Sequence, residues 1–231
     1  MRAALVACVG VALVSSFASA QEPMKVVYAD DFEKGMDHWE PFDAKSFEVV
    51  EVEGADGETT HALRALGTSK YEPPFRSPPN IVLLKDVTVG DFELTAKVQS
   101  TNPTAGPHRD MCIVFDYQDP THFYYVHFGA LADPNACQIF IVDDAARTPI
   151  TVKTASGTPW TDGWQDVRVV RKVDDGTIEV YFNDMGEPFM TAKDTKFKWG
   201  RVGLGTFDDN GNWDDFELRG VEVKPEEPTA G

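Results

Sequence analysis

Positive charge is scarce in this sequence of 231 residues, which carries 21 Lys and Arg residues against 38 Asp and Glu residues. The formal net charge is −17 at pH 7. A negative field of this size repels the phosphates of nucleic acids and the headgroups of anionic lipids. We therefore predict no nucleic-acid partner, whereas neutral ligands and cations are compatible with the charge.

Long apolar runs are also few. One extends from Ala3 to Val14, behind a single positive charge and ahead of the small-residue cleavage pattern Ala18-Ser19-Ala20. The run is too short to span a bilayer, and the combination is typical of a secretory signal peptide over residues 1–20. No later stretch is apolar enough to cross a membrane. The sequence thus predicts an exported protein, secreted or periplasmic, with no membrane insertion.

Cysteine is rare, with three in the chain. Cys8 lies in the predicted signal peptide, which leaves Cys112 and Cys137 in the mature protein. An even pair in an oxidising compartment is compatible with one disulfide, but both lie in apolar strand-like runs, where buried free thiols are also common. Either state would be structural.

Helical periodicity is scarce as well, and alternation with period two replaces it. Phe92, Leu94, Ala96 and Val98, for example, share one face of a predicted strand. About a dozen short strands recur with turn signals between them, which excludes a doubly wound α/β fold and predicts an antiparallel sandwich or barrel. No linker divides the mature chain. We predict a single β domain over residues 25–223 and a disordered tail over residues 224–231.

Catalytic motifs are missing. The sequence has no HExxH zinc signature, no G-x-S-x-G nucleophile elbow and no glycine-rich phosphate loop. His122 and His127 are five residues apart, so on a continuous strand they point to opposite faces and cannot chelate one ion. Glu51 and Glu53 share one face of a predicted strand, but a turn follows at once and such a strand end is commonly exposed; Asp110 and Asp116 share parity but lie too far apart to act as a close pair. No catalytic residue is assigned.

A different pattern indicates sugar binding, in which aromatic rings stack on sugar faces and polar side chains supply directed hydrogen bonds. In the run His108–Gly129, Tyr124, Val126 and Phe128 form the more apolar face of a strand and should face the core. Tyr125 and His127 then face the opposite sheet surface. The alternative is that these aromatics serve the core and the polar side chains cover the outer sheet. The predicted substrate-binding residues are Arg109, Asp110, Tyr125, His127, Gln138 and the loop tryptophan Trp160.

Several segments together resemble the concanavalin A-like lectin/glucanase superfamily, with its laminin-G-like members and secreted domains akin to the 3-keto-disaccharide hydrolase family nearest in pattern. In chain order the segments are DDFEKGMDHWEPF, DFELTAKVQ, DMCIVFDYQDPTHFYYVHFG, GWQDVRVVRKVDDGTIEVYFND and GRVGLGTFDDNGNWDDFEL. The resemblance implies an all-β fold, a two-sheet antiparallel jelly-roll sandwich that binds sugars on its concave side. The E-x-D-x-x-E motif of the superfamily's β-glucanases is absent.

The resemblance also implies a calcium ion where the first and last strands lie side by side. Asp215, before Phe216, matches the family's ligand in the final strand, and Asp31 is its counterpart in the first strand. The turn Gly54–Gly57 would add backbone carbonyls, and these hard oxygen donors favour Ca²⁺. The alternative is an uncoordinated acidic edge that deters strand pairing with other molecules.

The sequence therefore predicts an exported, non-catalytic module that binds a neutral oligosaccharide or polysaccharide and carries a structural Ca²⁺. One alternative is an enzyme acting on a glycoside, a hydrolase or lyase, with its acid and base among Arg109, Asp110 and His127. A further alternative is a laminin-G-like module that binds protein. Fold alone does not choose among them.

Overall fold

The computed structural model describes residues 24–224. The signal peptide predicted for residues 1–20 and nearly all of the tail predicted for residues 224–231 lie outside this range. The described part contains one 3₁₀ turn, at Gly106–His108. The strands are Val26–Asp30 (β1), Trp39–Pro41 (β2), Phe47–Glu53 (β3), Thr59–Ala65 (β4), Asn80–Leu84 (β5), Val89–Ser100 (β6), Cys112–Asp119 (β7), His122–His127 (β8), Gln138–Asp143 (β9), Thr148–Pro149 (β10), Thr151–Lys153 (β11), Gln165–Lys172 (β12), Thr177–Phe182 (β13), Met190–Lys193 (β14), Arg201–Thr206 (β15) and Gly211–Glu222 (β16).

These strands form two antiparallel sheets. The nine-stranded sheet has the order β11-β14-β13-β12-β6-β16-β4-β3, with β1 paired to β16, and the seven-stranded sheet has the order β10-β9-β8-β7-β15-β5-β2. This confirms the predicted two-sheet sandwich. Within residues 24–224, no helix has the length and apolarity that crossing a bilayer requires.

The core between the sheets follows the alternation of the sequence. Along β6, Phe92, Leu94, Ala96 and Val98 are buried and alternate with half-buried polar residues, as predicted. Tyr124, Val126 and Phe128 of the β8 region also lie between the sheets, which confirms the face assigned to them. Because side chains alternate along a strand, the neighbours of these residues face outward.

The outer face of the seven-stranded sheet is buried too. A second apolar cluster lies on it and includes Ile81, Leu83 and Val114, with Phe42 and Phe75 packed against it. Phe75 belongs to residues 66–79, a segment without strand or helix that we call the covering segment. This segment removes much of the outer face from solvent, so β7 and β8 carry apolar side chains on both faces.

The two cysteines of the described chain are buried free thiols on different faces. Cys112 belongs to the outer cluster, whereas Cys137 belongs to the core between the sheets. Of the two states that the sequence left open, the structure shows the free thiols.

The first and last strands lie side by side, as the resemblance implied. In the β1–β16 pair, Asp30 lies opposite Phe216 and Ala29 lies opposite Glu217. The register of β16 against β6 shifts between Asp214 and Glu217, and Asp215 has a positive φ of 46°. The two acidic DDFE segments of the sequence therefore meet at one edge of the molecule.

Candidate functional site

The register of the seven-stranded sheet brings three polar side chains together on its outer face. Cys112 of β7 lies opposite His127 of β8. Asp110 precedes Cys112 by two residues, so its side chain points to the same face. One ligand-type atom from each of Asp110, Cys112 and His127 lies within 4.8 Å of the other two, and all three residues are buried. Among residues 24–224, this is the single such group of three or more His, Cys, Asp or Glu side chains.

The Asp110 carboxylate is anchored through one oxygen. Its Oδ1 accepts hydrogen bonds from the Thr206 hydroxyl (2.8 Å) and from the backbone N–H of Phe207 (2.7 Å). Its Oδ2 lies 3.5 Å from His127 Nε2. Burial alone would raise the pKa of Asp110, but the His127 ring and the Phe207 N–H outweigh it and lower the pKa to about 2. Asp110 is thus a buried anion whose Oδ1 accepts two hydrogen bonds and whose Oδ2 lies between His127 and the Asp208 N–H, which donates to it at 3.4 Å.

The tautomer of His127 follows from its hydrogen bond. Nδ1 lies 3.1 Å from the carbonyl oxygen of Asn135, and because a carbonyl can only accept, Nδ1 carries the proton. Nε2 is buried and has no hydrogen-bond partner. The ring stacks on Phe207 with centroids 5.7 Å apart. His127 therefore presents an unpartnered ring nitrogen to Asp110.

Cys112 completes the group beneath the surface. Its side chain is fully buried, and this burial, followed by the nearby Asp110 charge, raises the pKa of the thiol well above its usual range. Without a bound cation the sulfur is therefore a neutral thiol at pH 7.

Asp110 and His127 open onto a pocket of about 390 Å³. The half-buried ring of Phe207 and the exposed side chains of Arg76, His108 and Asp208 are at its rim. Burial, and next the adjacent Asp110 carboxylate, raise the pKa of Asp208 to about 6. The pocket thus combines an aromatic surface with three carboxyl groups, of Asp110, Asp133 and Asp208, and two guanidinium groups, of Arg76 and Arg147.

Of the six predicted substrate-binding residues, Asp110 and His127 line this pocket. Tyr125 points to the outer face, as predicted, but it is 0 % exposed. Its ring stacks on Phe140 at 5.0 Å and its hydroxyl accepts a hydrogen bond from Arg147. This differs from the open surface we expected, because the outer face of the sheet is filled by side chains and the covering segment.

The other three predicted residues have structural partners. Arg109 donates to the Ser100 hydroxyl, to the backbone carbonyl of Thr161 and to the Asp162 carboxylate. Gln138 donates to the backbone carbonyl of Asp133. The structure does not bring these two side chains into the 390 Å³ pocket.

Trp160 was expected to be an exposed platform. Instead its ring packs against Phe182 with centroids 5.2 Å apart, and its indole N–H donates to the backbone carbonyl of Phe128. Trp160 is half-buried, so its loop position in the sequence did not reveal its packing.

Sequence reasoning missed Phe207, Asp208, Arg147 and Cys112. Arg147 lies over the Phe207 ring at 4.3 Å from its centroid. The available signal for Asp208 is its place beside Asp209 and Asn210 in an acidic turn. For Cys112, the signal was its shared parity with Asp110.

Asp31 and Asp215, the predicted calcium ligands, line one surface pocket of about 740 Å³. A neighbouring pocket of about 430 Å³ is bordered by Gly54, Asp214 and Asp215. Burial, together with the nearby Asp215 and Asp31 charges, raises the pKa of Asp214 to about 6. A buried carboxylate crowded by like charges and surrounded by oxygen donors suits a hard cation. The acids of this edge do not, however, form a group of three within 4.8 Å of one another.

Comparison with known proteins shows the fold. The carbohydrate-binding module CBM66 from Bacillus subtilis superposes with a TM-score of 0.54 at 13 % identity, covering 79 % of this chain and 95 % of that one. The cellulose-induced protein Cip1 superposes with a TM-score of 0.54 at 15 % identity, covering 86 % and 100 %. A Bacillus subtilis protein of unknown function with a galectin-like fold gives 0.52 at 12 %, covering 88 % and 99 %.

The chain matches no protein-family model, and no curated protein matches it. At these identities the likeness defines the architecture: the chain has the concanavalin A-like jelly-roll fold.

Proposed function

We propose that the protein is a carbohydrate-binding jelly roll whose ligand enters the pocket formed by His108, Asp110, His127, Phe207 and Asp208. The observation that carries the proposal is the half-buried Phe207 ring beside carboxylate, imidazole and guanidinium groups in one pocket of about 390 Å³. A carbohydrate-binding module is among the proteins of the same fold, which supports the proposal.

The shape of the site limits the ligand. Its volume is near the lower end of the ~300–1,000 Å³ that small-molecule sites usually span. Buried side chains such as Tyr125 and Phe140 fill the outer face beside it, and a separate pocket of about 410 Å³ is lined by Phe42, Tyr71 and Tyr117. Because the pocket at Phe207 is small, we propose a short neutral oligosaccharide or the end of a chain as its ligand.

The roles of the polar groups follow from their exposure. Asp208 and His108 are exposed and offer directed hydrogen bonds to sugar hydroxyls. Asp110 is 2 % exposed and its carboxylate already accepts three hydrogen bonds, so it fixes the pocket wall instead. The part of the Phe207 ring that His127 and Arg147 leave uncovered supplies apolar surface to a sugar.

We further propose export, from the N-terminal pattern, and a structural Ca²⁺ at the edge where Asp31 and Asp215 line one pocket. The ion would neutralise crowded carboxylates and join β1 to β16. A calcium-dependent rise in melting temperature tests it, as described in the Discussion.

The sugar proposal is tested with a Phe207→Ala variant. Removing the ring deletes the apolar surface, so we expect affinity for the best oligosaccharide of a panel to fall about tenfold, equivalent to about 1.4 kcal/mol. Isothermal titration calorimetry measures it. Phe189→Ala, a half-buried ring packed against the core between the sheets, is the matched control and should bind as the wild type does. Equal affinity of Phe207→Ala and wild type would rule out this pocket.

A glycoside-acting enzyme is the second candidate, favoured by one observation. Two carboxyl groups, Asp110 and Asp208, border the same pocket, and glycoside hydrolysis uses a pair of carboxyl groups. Product analysis after incubation with each bound sugar separates the candidates. Turnover that disappears in Asp208→Asn would show an enzyme, whereas binding without turnover supports the module.

A further inference from the structure

The group on β7 and β8 holds three different metal-ligating atoms in a buried cluster that sugar binding leaves unexplained. A carboxylate, a thiol and an imidazole are offered by Asp110, Cys112 and His127, each from within 4.8 Å of the others. Cys112 and His127 are cross-strand partners, and Asp110 lies two residues before Cys112 at the start of β7, so the backbone fixes their spacing.

The unpartnered nitrogen of His127 is suited to bind a cation. His127 is 5 % exposed, its Nδ1 is committed to the Asn135 carbonyl, and its Nε2 has no hydrogen-bond partner. Asp110 Oδ2 lies 3.5 Å from Nε2. A buried ring nitrogen without a hydrogen-bond partner and a buried carboxylate oxygen at this distance are two ligand atoms suited to one cation.

From these contacts we propose that Asp110, Cys112 and His127 bind one transition-metal ion of the Zn²⁺ class. This inference goes beyond saccharide binding and does not depend on it. Thiolate, imidazole and carboxylate are the three side-chain ligand types of zinc sites, and a sulfur ligand disfavours Ca²⁺ and Mg²⁺.

The spacing of the ligand atoms agrees with such an ion. Zinc bonds of about 2.0–2.3 Å in tetrahedral geometry place ligand atoms about 3.3–3.6 Å apart. The Asp110 Oδ2–His127 Nε2 distance of 3.5 Å has this value without adjustment. The Cys112 sulfur lies within 4.8 Å of a ligand atom of each of the other two residues.

Outer hydrogen bonds hold two of the ligands in place. The Asn135 carbonyl fixes the His127 ring with Nε2 unpartnered. Thr206 and the Phe207 N–H fix Oδ1 of Asp110, and the long 3.4 Å hydrogen bond from the Asp208 N–H leaves further acceptor capacity on Oδ2. Such partners orient the ligands of metal sites. Asp110 and His127 also border the 390 Å³ pocket, which gives the ion an entrance and a place for a fourth ligand from water. Binding releases the Cys112 thiol proton to solvent.

The experiment is a titration of the chelator-treated protein with Zn²⁺ in the presence of 1 mM Ca²⁺ as a roughly saturating competitor for oxygen-only sites. Co²⁺ then serves as a spectroscopic probe, because a thiolate–Co²⁺ charge-transfer band reports sulfur ligation. We expect one ion per chain and a thiolate band in the wild type. Cys112→Ser and His127→Gln should each weaken Zn²⁺ binding by more than the ~10–100-fold that losing an outer partner costs, and Cys112→Ser should remove the band.

Two matched controls separate the site from the rest of the chain. Cys137→Ser removes the other buried thiol, which lies between the sheets. His122→Gln removes a histidine that contacts the carboxylates of Asp119 and Asp144. Both should keep the band and the affinity.

Absence of a thiolate band in the folded wild type, or its loss in Cys137→Ser instead of Cys112→Ser, would overturn the proposal. If circular dichroism shows that Cys112→Ser does not fold, the His127→Gln titration tests the proposal: unchanged Zn²⁺ affinity in that variant would overturn it. Because no sugar is present, a failed metal titration leaves the saccharide proposal untouched, and the reverse also holds.

Discussion

Asp116 and Arg171 form an ion pair in which both side chains are 0 % exposed. The guanidinium Nε donates to Asp116 Oδ2 at 2.8 Å and its other nitrogens donate to the backbone carbonyls of Asp194 and Phe197. Asp116 Oδ1 has no partner. Burial raises the pKa of Asp116 to about 7, although Arg171 opposes the rise. At this site, removing the carboxylate from water costs more free energy than its attraction to Arg171 contributes.

This pKa predicts a pH dependence of stability. The unfolded chain releases the Asp116 proton near pH 4, whereas the folded chain keeps it until about pH 7. The contribution of Asp116 to the free energy of unfolding is thus full below pH 4 and is lost as pH rises toward 7, by up to about 1.4 kcal/mol per pH unit. Urea unfolding of wild type and Asp116→Asn between pH 4.5 and 7.5 measures it as the difference between the two proteins.

The free energy of unfolding of the wild type minus that of Asp116→Asn should fall as pH rises from 4.5 toward 7. Asp174→Asn, an exposed acid in a turn, is the control and should give a constant difference. A difference between wild type and Asp116→Asn that is flat across this range would show that Asp116 stays ionised in the folded protein.

At the scale of the elements, alternation predicted most of the strands but not what covers them. The faces of β6 and β8 followed from period two, because one residue in two faces the core. The covering segment, residues 66–79, contains four prolines and has no periodicity, so nothing in it indicated that it packs on a sheet. For that reason Tyr125 was assigned to the correct face and to the wrong degree of exposure.

The register of β7 against β8 could not be predicted from the sequence either. Asp119 lies opposite His122, and a hairpin without irregularity would then place Cys112 opposite Gly129. A register shift between Phe115 and Asp119 places it opposite His127 instead. The shift includes Asp116, whose φ is 47°, a conformation that residue type alone did not predict. The candidate site was therefore predicted in its residues Asp110 and His127 but not in its third member.

Close strand approach at β15 gives a prediction for that element. A Cβ atom on Gly205 would lie 2.1 Å from the backbone oxygen of Asn80, so the neighbouring strands must separate to accept it. We expect Gly205→Ala to lower the free energy of unfolding by about 1–3 kcal/mol, measured by urea titration. At Gly163 an added Cβ would meet its nearest atom at 3.8 Å, so Gly163→Ala should change stability by less than about 0.5 kcal/mol. Equal effects of the two substitutions would contradict the packing argument.

At the scale of the whole molecule, the net negative charge bears on the edge where the first and last strands meet. The chain carries a formal charge of −17, and β1 and β16 bring Asp31 and Asp215 to one pocket. Self-repulsion of this kind opposes the compact state. A divalent ion at the edge would relieve it where the two ends of the fold are joined.

The calcium proposal therefore predicts a change in thermal stability. A ligand at 100 times its Kd adds about 2.7 kcal/mol to stability, which raises the melting temperature by about 5–10 °C for a domain of roughly 200 residues. We expect this rise in the wild type when Ca²⁺ replaces EDTA, and its loss in Asp215→Asn. Differential scanning calorimetry makes the measurement.

Two controls separate binding from screening of charge. Asp174→Asn removes the same charge elsewhere and should keep the rise. Mg²⁺ at equal concentration should give a smaller rise, because it demands a stricter geometry. The same rise in Asp215→Asn as in the wild type would place any calcium effect outside this edge.

The position of β16 has a consequence for the order in which the protein folds. This final strand lies between β6 and β4 and also pairs with β1, so the nine-stranded sheet stays divided until residues 211–222 have left the ribosome. Contacts between such distant parts of the chain make folding slow. Strand edges of β1, β4 and β6 remain unpaired for the whole of synthesis, which is the interval in which a chaperone that binds extended segments would have most to protect.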